Sequence, residues 1–134
     1  MTSTAMEAPA ARIRVLIADD DGSFRAALRK LIDRQPELAV VAAASNGLEA
    51  IELAGNLAPD AVVIDLHMPL LDGVTAAARL RHDHPNVCLI ALTGDAAPAL
   101  HRAAREAGAD DVLLKGELLE VLLDRLASAR RSGG

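Results

Sequence analysis

Asp65 closes the apolar run Ala61-Val62-Val63-Ile64 and opens the segment Asp65-Leu66-His67-Met68-Pro69. A second apolar run, 13–18, ends in three acids, Asp19, Asp20 and Asp21. Two buried strands that each deliver carboxylates at their carboxyl ends can bring those groups together. Carboxylates held side by side repel unless a cation sits among them, so the arrangement points to a site for a hard divalent metal.

The elements that must position these acids read as an alternation. Strand candidates lie at 13–18, 38–43, 61–65, 87–93 and 111–114, and four of the five are continuous in apolar character, as parallel strands covered on both faces require. Helical patterns separate and follow them. Phe24, Ala27, Leu28, Leu31 and Ile32 share one face of the first, with Asp21 or Ser23 at its N-cap. Asn46 and Glu49 have capping-box spacing at the start of the second, which runs to about Leu57. The third covers roughly 74 to 81. The fourth sets Ala96, Ala99, Leu100, Ala103, Ala104 and Ala107 on one face; the fifth, about 117 to 129, buries Leu118, Leu119, Leu122, Leu123 and Leu126. Pro36 and Gly108 are stop signals after the first and fourth helices.

Such alternation with short loops implies right-handed crossovers and an α/β doubly wound sheet. In these sheets the functional crevice lies at the carboxyl ends of the strands. That rule selects Asp19, Asp20, Asp65, Thr93 and Lys115. Residues 1–11, small and polar around Pro9, read as a disordered leader, 12–130 as one domain, and 131–134 as a tail or linker stub.

Composition narrows the function classes. A chain of 134 residues suits one domain with a real core. Its net charge of −5 argues against direct nucleic-acid contact, which calls for a basic face. With neither a membrane-length apolar run nor a signal-peptide pattern, the expected location is cytoplasmic. Cys88 is the single cysteine, so no disulfide framework can form, and a buried structural thiol is expected. Hydrophobic residues are 51% of the chain although Phe24 is its only aromatic, so alanine-rich helices must pack closely. The fourth helix offers mostly methyl groups to the core and the fifth offers leucines. At ~25 cal/mol per Å² of apolar area, the fourth is the less firmly held.

Four segments together resemble the receiver domain of two-component response regulators, from Ile13 to about Ala129: Val-Leu-Ile-Ala-Asp19-Asp20-Asp21; Val-Val-Ile-Asp65-Leu-His-Met-Pro69-Leu-Leu-Asp72-Gly73; Ile-Ala-Leu-Thr93-Gly94; and Gly108-Ala109-Asp-Asp-Val-Leu-Leu-Lys115. Leu-Leu-Lys115 without a following proline is closest to the LuxR- and NarL-type branch, many members of which carry a C-terminal helix-turn-helix domain. The resemblance implies a flavodoxin-like five-stranded parallel sheet in the order 2-1-3-4-5 with five helices.

It also implies roles. Asp65 would be the phosphoacceptor, attacking the phosphorus of a phosphohistidine or small acyl phosphate. Asp20 would ligate Mg²⁺ directly and Asp19 directly or through water, with Asp65 and the His67 backbone carbonyl completing the protein ligands. Lys115 would pair with a phosphoryl oxygen, Thr93 would donate its hydroxyl to one, and Gly94 would leave room for the group. The side chains of His67 and Asp95 would flank it and modulate water attack. Asp21 reads as an exposed N-cap acid, and His82, His84 and His101 as solvated. The implied partners are a sensor histidine kinase or phosphotransfer protein, and a downstream protein target or second copy.

Two positions depart from the family pattern. Val112 stands where relatives place Tyr or Phe, and its single stiff torsion cannot perform an aromatic swing. Gly116 stands where many relatives have a cis proline, so a trans bond is expected. Two other functions remain open on the residues alone. One is a phosphorylation-independent receiver-like adaptor, suggested by Val112. The other is an Asp-nucleophile phosphohydrolase, in which a second acid usually stands where this chain has His67.

Overall fold

The protein, described by a computed structural model over residues 12–117 and 119–129, alternates strand and helix throughout. The elements are β1 (Ile13–Ala18), α1 (Gly22–Asp33), β2 (Leu38–Ala44), α2 (Gly47–Leu57), β3 (Ala61–Asp65), α3 (Gly73–Asp83), β4 (Cys88–Thr93), α4 (Pro98–Ala107), β5 (Asp111–Leu114) and α5 (Leu119–Ala127). All pairings are parallel, and the strand order is β2-β1-β3-β4-β5, as expected. The leader 1–11, Leu118 and the tail 130–134 lie outside the described residues.

Side chains alternate across each strand, so the continuous apolar runs feed two cores. Leu16, Val62, Ile64, Leu89, Ala91 and Val112 face Ala50 and Ala54 of α2, Ala76, Ala77 and Leu80 of α3, and Ala104 of α4. Val15, Ile17, Val63, Ile90 and Leu92 face Leu28 and Ile32 of α1 and Leu122 and Leu126 of α5. Boundaries differ from expectation by a residue or two at β2, β4, α3 and α5.

Three expected core positions are solvent-exposed: Ala27, Ala96 and Ala99. Ala96 precedes the helix, because Pro98 opens α4 at its first turn and sets a face of Leu100, Ala104 and Ala107. Among the described residues of α4 only Ala104 is fully buried. Cys88 is half-buried rather than buried, and burial, then the Asp110 charge, pushes its thiol up to about 11, leaving it protonated and inert.

Local chemistry sets the helix starts. Asp21 caps α1 by accepting the Ser23 and Phe24 amides, and Asn46 caps α2 by accepting the Glu49 amide at 2.8 Å. Glu49 turns back as a capping box requires, but onto the Ser45 amide (2.7 Å), one residue before the cap. Asp72 caps α3, and the Thr75 amide it accepts holds its carboxyl below the ordinary range. Gly73 follows, where a Cβ would overlap the Asp65 carbonyl oxygen and stand 2.5 Å from Leu66 Cα. The first turn of α3 thus rests directly on the strand end that carries Asp65.

Gly73→Ala therefore lowers the equilibrium urea midpoint, by an overpacking cost of about 1–3 kcal/mol, although alanine in an ordinary helix position stabilises. Amide hydrogen exchange is also expected to be faster in α4 than across Leu122–Leu126 of α5; the reverse order would contradict the burial contrast between the two helices.

Candidate functional site

Register assembles the site. Ala18 pairs with Ile64, so Asp19 and Asp65 follow side by side at the ends of β1 and β3. Asp65 pairs with Leu92 and Thr93 with Leu114, which brings Thr93 one step beyond Asp65 and Lys115 just after β5. The ladders run on past the strands: the Asp19 amide donates to Ala44 O, Leu66 to Leu92 O, and Lys115 to Thr93 O at 2.8 Å. All five residues selected from the sequence therefore meet at one edge of the sheet.

Asp19, Asp65 and Thr93 are buried, while Asp20 and Asp21 are exposed. One carboxylate oxygen from each of Asp19, Asp20 and Asp65 lies within 4.8 Å of the others. The Lys115 ammonium stands 2.7 Å from Asp19 Oδ2 and 3.4 Å from Asp65 Oδ2. Asp19 Oδ1 accepts the Asp21 amide (2.9 Å), and Asp65 Oδ1 accepts the His67 amide (3.2 Å). Arg25 of α1 donates to the Asp19 carbonyl at 2.6 Å, fixing the backbone below that acid.

Burial raises the Asp65 carboxyl above its ordinary value; the Asp19 charge adds to this, against the His67 amide and Lys115. For Lys115, burial works against the charge, but the bonds and fields of Asp19 and Asp65 outweigh it and raise the ammonium above its usual value.

The donor set fits a hard cation. Asp19 Oδ2 is buried and has an ionic neighbour in Lys115, but no aligned hydrogen-bond donor. With Asp65 Oδ2 close by and exposed Asp20 at the mouth, the oxygens suit a metal that keeps several waters.

Two residues near the site were read from the sequence only as generic. Phe24, seen as one apolar position of α1, lies with its ring centroid 4.5 Å from the Lys115 ammonium, holding it by cation–π attraction. His101, read as solvated, has Nε2 2.8 Å from the Asp95 carbonyl oxygen. The Phe24 contact has no sequence signal because α1 and the end of β5 meet only once the sheet is ordered, and the His101 contact, though local, has a backbone carbonyl as its partner.

Elsewhere the expectations meet detail. Thr93 Oγ1 accepts the Asp95 amide at 3.0 Å, and the Asp95 carboxylate accepts the Ala97 amide at 2.8 Å. A Cβ at Gly94 would meet nothing within 4 Å, so the room there does not depend on glycine. Val112 is buried in the core beneath α4. No peptide bond among the described residues is cis, including that before Gly116.

Residues 15–127 match the family model described as the response regulator receiver domain. The chain belongs to that family. This receiver domain is 41% identical over 105 residues to a protein-glutamate methylesterase/protein-glutamine glutaminase of Shewanella frigidimarina, a match covering 77% of this chain and 26% of that protein. It is 37% identical over 119 residues to response regulator MprA of a Mycobacterium species, covering 89% of this chain and 51% of the relative. The chain thus spans a quarter to a half of these curated relatives.

Among solved structures it superposes on the signal receiver domain of a NarL response regulator from Mycobacterium tuberculosis (TM-score 0.81, 27% identity, 87% and 98% of the two chains). It also superposes on the response regulator domain of CheB from Thermotoga maritima (TM-score 0.79, 32% identity, 91% and 96%). A LuxR-family DNA-binding response regulator from Staphylococcus aureus superposes as well (TM-score 0.81, 27% identity, 87% and 98%), so NarL- and LuxR-type regulators are among its structural neighbours. No helix among the described residues is long and apolar enough to cross a membrane.

Because the folded carboxyl of Asp65 is raised above 3.8, ionising it costs stability as pH rises through the folded value, and the penalty is absent below 3.8. Asp65→Asn is therefore expected to raise the urea midpoint of the metal-free protein at pH 7 and to leave it unchanged near pH 3; a lowered midpoint at pH 7 would contradict the repulsive pocket.

Proposed function

We propose that this receiver domain accepts a phosphoryl group on Asp65, with Mg²⁺, from a histidine kinase, a phosphotransfer protein or a small acyl phosphate, and so switches a protein-interaction surface. The observation that carries this reading is the junction of Asp65, Asp19, Thr93 and Lys115 at one sheet edge, with the ammonium 3.4 Å from the Asp65 carboxylate. The unit that performs it is 12–130, with 1–11 as a leader and 131–134 as a tail or linker.

An Asp65 oxygen attacks phosphorus, and the P–N bond of phosphohistidine or the P–O bond of an acyl phosphate breaks. The leaving group departs with the bonding pair; imidazole then takes a proton from water. Asp19, Asp20, Asp65 and the His67 carbonyl would hold Mg²⁺, which when bound neutralises phosphoryl charge and orients the incoming group. Lys115 turns from the two acids to a phosphoryl oxygen, steadied by the Phe24 ring. Thr93 rotates its hydroxyl to donate to another. The modification adds about −1.5 to −2 charges and new acceptors, so Lys115 and Thr93 gain partners that exist only in the modified state, and the conformer balance shifts.

His67 and Asp95 flank the entry route and set the phosphoryl lifetime. The chain is a phosphoacceptor rather than a turnover enzyme and works in the cytoplasm, with a downstream protein or a second copy as its target and neither nucleic acid nor membrane in direct contact. The buried Val112 favours one other reading, an adaptor that keeps the fold without phosphorylation.

Intact mass after incubation with Mg²⁺ and acetyl phosphate decides between them. One added phosphoryl group is expected, absent with EDTA and absent in Asp65→Asn; an unchanged mass supports the adaptor, and turnover of a phosphate monoester in molar excess a phosphohydrolase. Asp20→Asn is expected to raise the Mg²⁺ needed for half-maximal modification by at least the ~10–100-fold known for weaker, outer-shell losses.

A further inference from the structure

Helix α4 is held unevenly. At its carboxyl end, Arg81 of α3 donates through Nε to the Gly108 carbonyl (3.0 Å), through one terminal nitrogen to Pro85 O and Val87 O (2.8 Å each), and through the other to Asp110 Oδ2 (2.8 Å). Gly108, at φ +120°, lies so close to the arginine stem that a Cβ would stand 2.6 Å from Arg81 Cγ. Arg105, in the last turn of α4, pairs with Asp111 at 3.4 Å, and Asp111 in turn holds Arg125 of α5 at 2.8 Å.

The amino end has fewer fixtures: just before the helix, the Asp95 carboxylate accepts the Ala97 amide (2.8 Å). Its cap is Ala97, which offers no side-chain acceptor, and Pro98 supplies no amide. Within the helix itself, the side-chain tie to the site is His101, whose Nε2 lies 2.8 Å from the Asp95 carbonyl. A carbonyl accepts only, so Nε2 carries the ring proton. Asp95 also donates its amide to Thr93 Oγ1. A hydrogen-bonded line therefore runs from the Thr93 hydroxyl through the Asp95 backbone to the second turn of α4.

We propose that His101 is a positioning residue that conveys the movement of Thr93 to α4, in place of the aromatic side chain that Val112 does not supply. The inference rests on Asp65 being the phosphoacceptor. A threonine hydroxyl has one proton and two lone pairs, so it can donate to a phosphoryl oxygen while still accepting the Asp95 amide. When it rotates toward the phosphoryl group, Asp95 follows and draws His101 with it. The Arg81 clamp holds the far end, and α4 pivots about Gly108. The absence of a side-chain cap at Ala97 and the shallow burial of α4 leave that turn free to move.

The test compares backbone amide shifts of the full chain before and after modification by acetyl phosphate with Mg²⁺, with intact mass recorded on each sample. In the wild type, both the loop 94–97 and the helix turn 98–102 are expected to respond. His101→Ala should gain the same phosphoryl mass and keep the loop response, while the response at 98–102 falls by about half or more, as for coupled residues on one network. His101→Gln, which offers an N–H at the same bond count, should restore it. A wild-type response at 98–102 in His101→Ala overturns the proposal, as does failure of His101→Gln to restore it. An unmodified wild-type mass overturns instead the phosphoacceptor reading on which it rests.

Discussion

A single ammonium between two buried carboxylates is the interaction on which the rest of the structure depends. Asp19 and Asp65 are carried to adjacent positions by the pairing of β1 with β3, in a place where water cannot fully solvate either. Without Lys115 the pocket would hold two like charges at low dielectric, a costly arrangement. With it, the cluster persists as a site under electrostatic tension. Hydrogen bonds from the Asp21 and His67 amides orient the acids, and the Phe24 ring keeps the ammonium in reach. Such a pocket favours any change that supplies more positive charge among the oxygens or gives the lysine a better partner.

The fold serves that pocket by separating rigid from yielding parts. β1, β3 and β4 are apolar on both faces and lie in the middle of the sheet, so the ends that carry Asp19, Asp65 and Thr93 are built on its least deformable strands. Gly73 lets α3 press on the backbone of Asp65 and Leu66, removing slack beneath the phosphoacceptor candidate. On the same face, α4 buries little and α5, on the opposite face, buries Leu122 and Leu126. A chemical event at the strand ends therefore meets a stiff sheet on one side and a lightly held helix on the other. The helix is the cheaper element to displace.

Much of this is legible in the sequence. Asp19, Asp20, Asp65, Thr93 and Lys115 each follow an apolar run, and a parallel sheet gathers the ends of its strands at one edge. Two physical causes account for what is not legible. The exposed Ala27, Ala96 and Ala99 fit a core pattern because alanine is apolar enough for a core yet costs little at the surface, so its presence does not mark a face. The His101 bond is not legible because its partner is a backbone carbonyl, and carbonyls leave no trace in residue identity. The Arg81 clamp is hidden for the same reason: three of its acceptors are the carbonyls of Pro85, Val87 and Gly108.

By itself the sequence determined the periods of its strands and helices, the helix cap at Asn46, and the acids, threonine and lysine that end successive strands, because these follow from local sterics and the alternation of apolar residues. Tertiary structure decided what those groups meet. The register of β1 on β3 set Asp19 beside Asp65, the β4–β5 pairing delivered Lys115 to both, and the docking of α1 brought Phe24 to the ammonium. Contacts between residues far apart in the chain arise from burial of whole faces, a collective quantity that no short stretch of sequence encodes.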